Sequence, residues 1–310
     1  MIFGSRFVRI VSLAPIDMAH VPQTFGGSWT EQKLERVRKY LVAYATIMNK
    51  QRFRFAYIDA FAGTGYRTLE RYESSLAKIF PEVFESDSQG FLDGSARIAL
   101  QVRPRFTKYI FIERDKERMV ELEKLKNEFV ELRDDIILEK ADANTYLQNL
   151  CSKRDWRKNR AVLFLDPFGM QVTWDTIAAI AKTQAIDLWI LFPVSAVNRL
   201  LTRTGAINPG WRRSLDELFG ADDWYDVFYQ TSTFTNIFGS SQTNTIKLAD
   251  FDLIGEYFVK RLKTIFPGVA QDPLPLLNSR NTPLYLLCFA AGNPKGSKTA
   301  IKIADDILRR

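Results

Sequence analysis

The sequence predicts an α/β fold: a doubly wound, mostly parallel sheet with helices on both faces. Three observations predict it. Between residues 53 and 192 short apolar runs alternate with amphipathic stretches, the pattern of strands joined by crossover helices. Four successive runs end in a glycine turn or a carboxylate, at Gly63/Gly65, Glu113, Asp142 and Asp166, and right-handed crossovers bring such ends to one edge. The chain also has 310 residues and 46% hydrophobic content, enough for one large domain or a domain with an appended lobe.

The elements follow in order. Leu34, Val37, Leu41, Tyr44, Ala45 and Met48 recur at helical spacing after Ser28-Trp29-Thr30, so residues 1–50 read as an N-terminal segment and a helix stopping near Asn49. Residues 51–194 read as the α/β core. It opens with a buried strand, Phe53 to Ala62, that runs into Gly63-Thr64-Gly65. The mixed stretch 66–92 reads as an insertion. Strands are expected at Tyr109–Ile112, Ile136–Leu138, Ala161–Leu165 and Asp187–Phe192, with helices at Lys116–Phe129, Thr145–Cys151 and Trp174–Lys182 between them. Residues 195–249 read as a mostly helical insertion, a candidate substrate or partner lobe. Residues 250–310 supply a helix from Asp250 to Phe266, a strand from Leu284 to Ala290 and a closing helix.

Composition removes several function classes. Lys and Arg number 43 against 36 Asp and Glu, a formal charge of +7, which fits a nucleic-acid partner without requiring one. Two cysteines exclude a disulfide scaffold and a cysteine-rich zinc site. The single histidine, His20, reads as a loop residue and argues against Ser-His-Asp chemistry or a histidine metal centre. No run reaches the roughly 18 apolar residues of a membrane span, and the N-terminus makes a poor signal peptide, so a cytoplasmic, reduced protein is expected.

The candidate site residues lie at the strand ends. Asp59-Ala60-Phe61-Ala62-Gly63-Thr64-Gly65 follows the first strand, and its glycines would let backbone pass close to a ligand. A dinucleotide fingerprint would need glycine where Thr68 stands, which weakens a nicotinamide reading. A turn with no pyrophosphate to cradle fits S-adenosylmethionine (SAM) better. The alternative is a plain strand-to-helix turn. Glu113, ending the second strand, suits both ribose hydroxyls, or else an ion pair with Arg114 or Lys116. Asp142, with Ala143 after it, suits an adenine amino group or a helix N-cap, and the two roles are compatible. Asp166-Pro167-Phe168-Gly169 is the sharpest motif. Pro167 fixes its own φ and holds Asp166 extended, so the turn offers a carboxylate, a carbonyl and an aromatic in a stiff frame. Chemistry on an exocyclic amine asks for such acceptors, which hold the NH₂ while its lone pair faces a methyl group. The alternative is a structural turn.

Cys151 and Cys288 read as core residues, against base methylation through a cysteine adduct. Arg199, Arg203, Arg212 and Arg213 are interleaved with Trp211, Trp224, Tyr225, Phe228 and Tyr229. That mixture fits phosphate grip with base stacking, and equally an amphipathic cover over the sheet or a protein interface.

Phe25-Gly26-Gly27-Ser28-Trp29-Thr30, Lys33-Leu34, Lys39-Tyr40-Leu41, Tyr57-Ile58-Asp59-Ala60-Phe61-Ala62-Gly63, Gly94-Ser95-Ala96 and Asp166-Pro167-Phe168-Gly169 together resemble the three-Cys-motif partner family (TcmP). The match runs from about residue 24 to the C-terminus. The resemblance implies a class I SAM-dependent methyltransferase fold (Rossmann-like, seven-stranded) and a neighbouring protein bearing three cysteines as partner. The Asp166 tetrad also resembles the D-P-P-Y/F motif of nucleic-acid amino-methyltransferases, with Phe168 in place of the second proline, and the D-P-F-G of tRNA guanine-N2 methyltransferases. The expected function is methyl transfer from SAM to a base nitrogen of DNA or RNA, with Asp166 orienting the target amine and Phe168 stacking on the base. The alternative is a binding protein that kept the fold, lost catalysis and docks its partner through 199–235.

Overall fold

The computed structural model describes residues 28–62, 94–167, 169–235 and 241–309. Gly63, Gly65, Thr68, the 66–92 insertion, His20 and Phe168 lie outside the described residues.

Helix α1 (Ser28–Met48) comes first, with Val37, Tyr40, Leu41, Tyr44 and Ala45 buried along one stripe, the face its spacing predicts. Strand β1 (Arg54–Ala60) follows, then α2 (Ser95–Gln101), β2 (Lys108–Glu113) and α3 (Lys116–Glu128). Asp115 caps α3 by accepting from the Arg118 N–H. Beyond it lie β3 (Ile136–Lys140), α4 (Ala143–Lys153), β4 (Asn159–Leu165), α5 (Trp174–Lys182) and β5 (Ile186–Phe192).

Residues 195–249 depart in part from the expected helical insertion. They begin as helices α6 (Val194–Leu200), α7 (Pro209–Phe219) and α8 (Trp224–Phe228), then close in a hairpin, β6 (Tyr229–Thr235) against β7 (Ser241–Lys247). Threonines at 231, 233, 235, 243 and 245 carry the β-branched propensity that decides this. The chain returns through α9 (Phe251–Lys263), whose N-cap Asp250 accepts from the Leu253 N–H. It ends with β8 (Gly268–Val269), β9 (Leu274–Leu277), β10 (Pro283–Ala291) and α10 (Ser297–Leu308).

The main sheet runs β3-β2-β1-β4-β5-β10-β8, with β9 pairing β10 off this path, eight strands rather than seven. Strands β1 to β5 are parallel, and β10 is antiparallel to β5, β8 and β9. Side chains alternate between two buried faces. Ile58, Ile110, Leu163 and Ile190 face α4, α5 and α9 in one core. Tyr57, Tyr109, Val162 and Trp189 face α1, α2 and α10 in the other. Parallel strands buried on both faces explain why these segments read as continuous apolar runs. Among the described residues no helix is long and apolar enough to cross a membrane.

Candidate functional site

The register places the ends of the three central strands level with one another. Ala60 lies opposite Ile112 of β2 and Leu165 of β4. The next residues along, Phe61, Glu113 and Asp166, are therefore flush at the C-terminal edge. Strands sit about 4.8 Å apart, which puts the backbones of Glu113 and Asp166 roughly 10 Å apart across β1. Of the strand-end residues expected at one edge, the register brings Glu113 and Asp166 level, with Phe61 between them and Asp59 two residues back along β1.

Phe61 has φ 66, a left-handed backbone that a bulky residue rarely adopts. The bond from the Ala62 N–H to the Ile112 carbonyl (2.9 Å) holds the turn. Strain of this kind concentrates where a ligand is gripped. One residue inside the strand, Asp59 is buried. The Tyr57 hydroxyl donates to its Oδ2 at 2.9 Å, while Oδ1 takes no hydrogen bond of good geometry. Burial pushes the Asp59 carboxyl up to about 7; the Ser95 and Tyr57 hydroxyls oppose the rise, Asp166 adds to it and Lys33 reduces it.

Asp166 does not stand alone. The Lys33 ammonium meets its Oδ2 at 3.1 Å, with the two side chains 1% and 13% exposed. Burial raises the Asp166 carboxyl and the Lys33 charge pulls it back. Pro167 is buried and Gly169 has φ +63, so the corner bends back sharply after a stiff start. Two carboxylates, Asp59 and Asp166, thus lean on one ammonium, which leaves the cluster an excess negative charge that burial resists. Sequence reasoning missed Lys33, Tyr57 and Ser95. The signal for Lys33 was a lysine on the stripe of Val37, Tyr40 and Tyr44, a core-facing place that a lysine seldom takes without a partner.

Glu113 is buried at the neighbouring strand end. Its Oε1 accepts from the Asp115 N–H at 2.6 Å. Its Oε2 and the nearby Arg118 Nη1 are buried without partners. Burial raises the Glu113 carboxyl; the Asp115 N–H and the Arg118 charge oppose that. An unmet buried polar atom costs about 1–3 kcal/mol, and such atoms are kept where function uses them. Glu113 Oε2 is therefore an acceptor left open for a donor at the end of β2. Asp142 lies two residues past the end of β3. Its Oδ1 accepts from the Thr145 N–H (2.9 Å) and hydroxyl (3.0 Å), the N-cap role. Asp142 itself is exposed and Ala143 is buried.

Both cysteines are buried, as expected of core residues. In the 199–229 region Trp224 and Phe228 are fully buried in the core. The Arg212 guanidinium lies 4.8 Å from the Tyr225 ring and 5.4 Å from the Trp224 ring. These aromatics cover the sheet, and the two deepest are closed to stacking on a base.

No family model and no curated protein matches the chain. Among solved structures it is similar to spermidine synthase bound to the transition-state analogue AdoDATO (12% identity, 89% of this chain and 64% of that one, TM-score 0.39). It is also similar to spermidine synthase from Thermotoga maritima (12% identity, 86% and 60%, TM-score 0.37). A third is the magnesium protoporphyrin IX methyltransferase ChlM from Synechocystis PCC 6803 with bound SAM (11% identity, 70% and 80%, TM-score 0.28). Scores this low carry no argument about function. The strand order, with β10 reversed between β5 and β8, is what assigns the chain a Rossmann-like fold of the class I SAM-methyltransferase type.

Proposed function

We propose that the chain is a SAM-dependent methyltransferase whose acceptor is a base nitrogen of DNA or RNA. The observation that carries the reading is the level alignment of Phe61, Glu113 and Asp166 at one strand edge, with Glu113 Oε2 buried and unpartnered there. Glu113 would hold the ribose hydroxyls. The strained turn at Phe61 would pass its backbone along the cofactor, the role expected from the sequence of Gly63 and Gly65 as well, and Asp142 with Ala143 would border the adenine. SAM, when bound, supplies an electrophilic methyl group.

The chain's own residues then position the acceptor and move its proton. Asp166 has Oδ2 on Lys33, which leaves Oδ1 and the backbone carbonyl before Pro167 to accept the target N–H groups. Pro167 keeps that frame rigid, so positioning supplies much of the rate. As the amine gains its methyl group it sheds one proton. The coupled Asp59 and Asp166 carboxyls, raised by burial, are the acceptors at hand. Phe168 would stack on the base.

Titration calorimetry with SAM tests the cofactor assignment: Glu113→Ala abolishes binding, and unchanged affinity in that variant removes the ribose role. Labelled SAM incubated with the chain and total nucleic acid tests the acceptor, with label expected in the nucleic acid and lost in Asp166→Ala.

A second reading has its own support. Lys33 neutralises Asp166 inside the protein, as a fold kept for binding alone would also do. In that case the chain is a non-catalytic partner that docks a three-Cys-motif protein through 199–235. Capture of that protein without methyl transfer favours this reading.

A further inference from the structure

At the opposite edge of the sheet, where β1, β4 and β5 begin and β10 ends, lies a cavity of about 770 Å³. Small-molecule sites span roughly 300–1,000 Å³. No residue assigned above to cofactor or acceptor lines it. Its floor is Asp187, whose Oδ2 accepts from the Tyr40 hydroxyl (2.8 Å) and Oδ1 from the Gly292 N–H (2.9 Å). Each oxygen keeps a second lone pair for a donor inside the cavity.

The walls are aromatic: Tyr44, Phe53 and Trp156. The Arg160 guanidinium lies 4.1 Å from the centre of the Phe53 ring. Two bonds of 2.7 Å, from Arg160 Nη1 to the carbonyls of Trp156 and Asn159, fix it there. Arg160 Nε is buried without a partner, and among the described residues no carboxylate forms an ion pair with this guanidinium. At the rim stands Lys295, exposed. Acceptors at the floor, flat apolar and guanidinium walls, and cations toward the opening describe one ligand shape. It is a planar ring with N–H donors at one end and an anion at the other.

We infer that this cavity is a second binding site, for a nucleoside monophosphate, with the base seated between Asp187 and the aromatic walls and the phosphate at Arg160 and Lys295. It is separate from the proposed methyl transfer, because the cavity opens at the far ends of the same strands.

The test is calorimetric titration of the full chain with AMP and CMP, with adenosine and ribose 5-phosphate as half-ligands, repeated with S-adenosylhomocysteine present. At least one nucleotide should bind about tenfold tighter than either half-ligand, and S-adenosylhomocysteine should leave that binding unchanged. Lys295→Glu, an exposed change that leaves folding alone, should weaken the nucleotide about fivefold and spare adenosine. Ala300→Trp, from the first turn of α10 into the cavity, should remove both. Failure of both nucleotides to bind, nucleotide binding that Lys295→Glu leaves intact, or displacement by S-adenosylhomocysteine would each overturn the inference.

Discussion

Replacing Lys33 with methionine keeps a long apolar side chain but deletes the ammonium that meets Asp166 at 3.1 Å. Lys33 is 1% exposed and Asp166 13%, so water cannot take the ammonium's place. Breaking a buried pair by removing one partner costs about 3–5 kcal/mol. The slight exposure of Asp166 puts the expected loss near the lower end, about 3 kcal/mol at pH 8. The loss depends on pH in a definite direction. Without Lys33 the Asp166 carboxyl, already raised by burial, rises further in the folded state, while the unfolded chain keeps a value of about 3.9. A raised carboxylate penalises the fold fully above its folded-state pKa, and the penalty fades as the pH falls toward the unfolded value. Urea unfolding followed by circular dichroism should therefore show the large deficit at pH 8 and a much smaller one at pH 5. Adding Asp166→Asn to Lys33→Met should recover most of the loss at pH 8. A deficit equal at both pH values, or a double variant as unstable as the sum of the singles, refutes the charge-pair account.

Asp59→Asn acts through the same cluster. With the folded carboxyl at about 7 and the unfolded one near 3.9, the wild type loses stability as pH rises through neutrality. The variant should be more stable by on the order of 2–4 kcal/mol at pH 8.5 and nearly equal at pH 4.5, as read from unfolding curves. Gly220→Ala should cost about 2–5 kcal/mol, seen as a fall in Tm. The cause is that Gly220 has φ +61 and a Cβ there would lie 2.1 Å from the Trp174 ring. Burial lifts the Cys151 thiol to about 12 and raises that of Cys288 as well. Neither should react with a thiol reagent in the native state, and both should react at once in urea.

The parallel core was legible because its signals are local. Trp174–Lys182 forms the helix its periodicity predicts, and Asp142 caps the helix it precedes. The carboxylate edge was legible too, because right-handed crossovers leave little choice of topology. Lys33 was not, since its partner lies 133 residues away and no local pattern names a partner at that distance. The β6–β7 hairpin was masked by the tryptophans and arginines before it, although its alternating threonines carried the signal. The two residues of β8 are too short for any periodicity to show. The cavity at the far edge needs residues from both ends of the chain, and composition carries no trace of it.

Helix α1 has a consequence for how the protein is made. Its Tyr40 ring rests 4.7 Å from that of Phe289 in β10, and its hydroxyl bonds to Asp187, which also binds the Gly292 N–H. Helix α1 thus docks on a strand translated about 250 residues after it. At roughly 5–20 residues per second that is a wait of about 12–50 s, during which the Tyr40 side of the helix lacks its β10 partner, although Tyr44 can already pack on Phe55 and Phe106. A chaperone that holds amphipathic segments should cover this helix face until β10 has emerged.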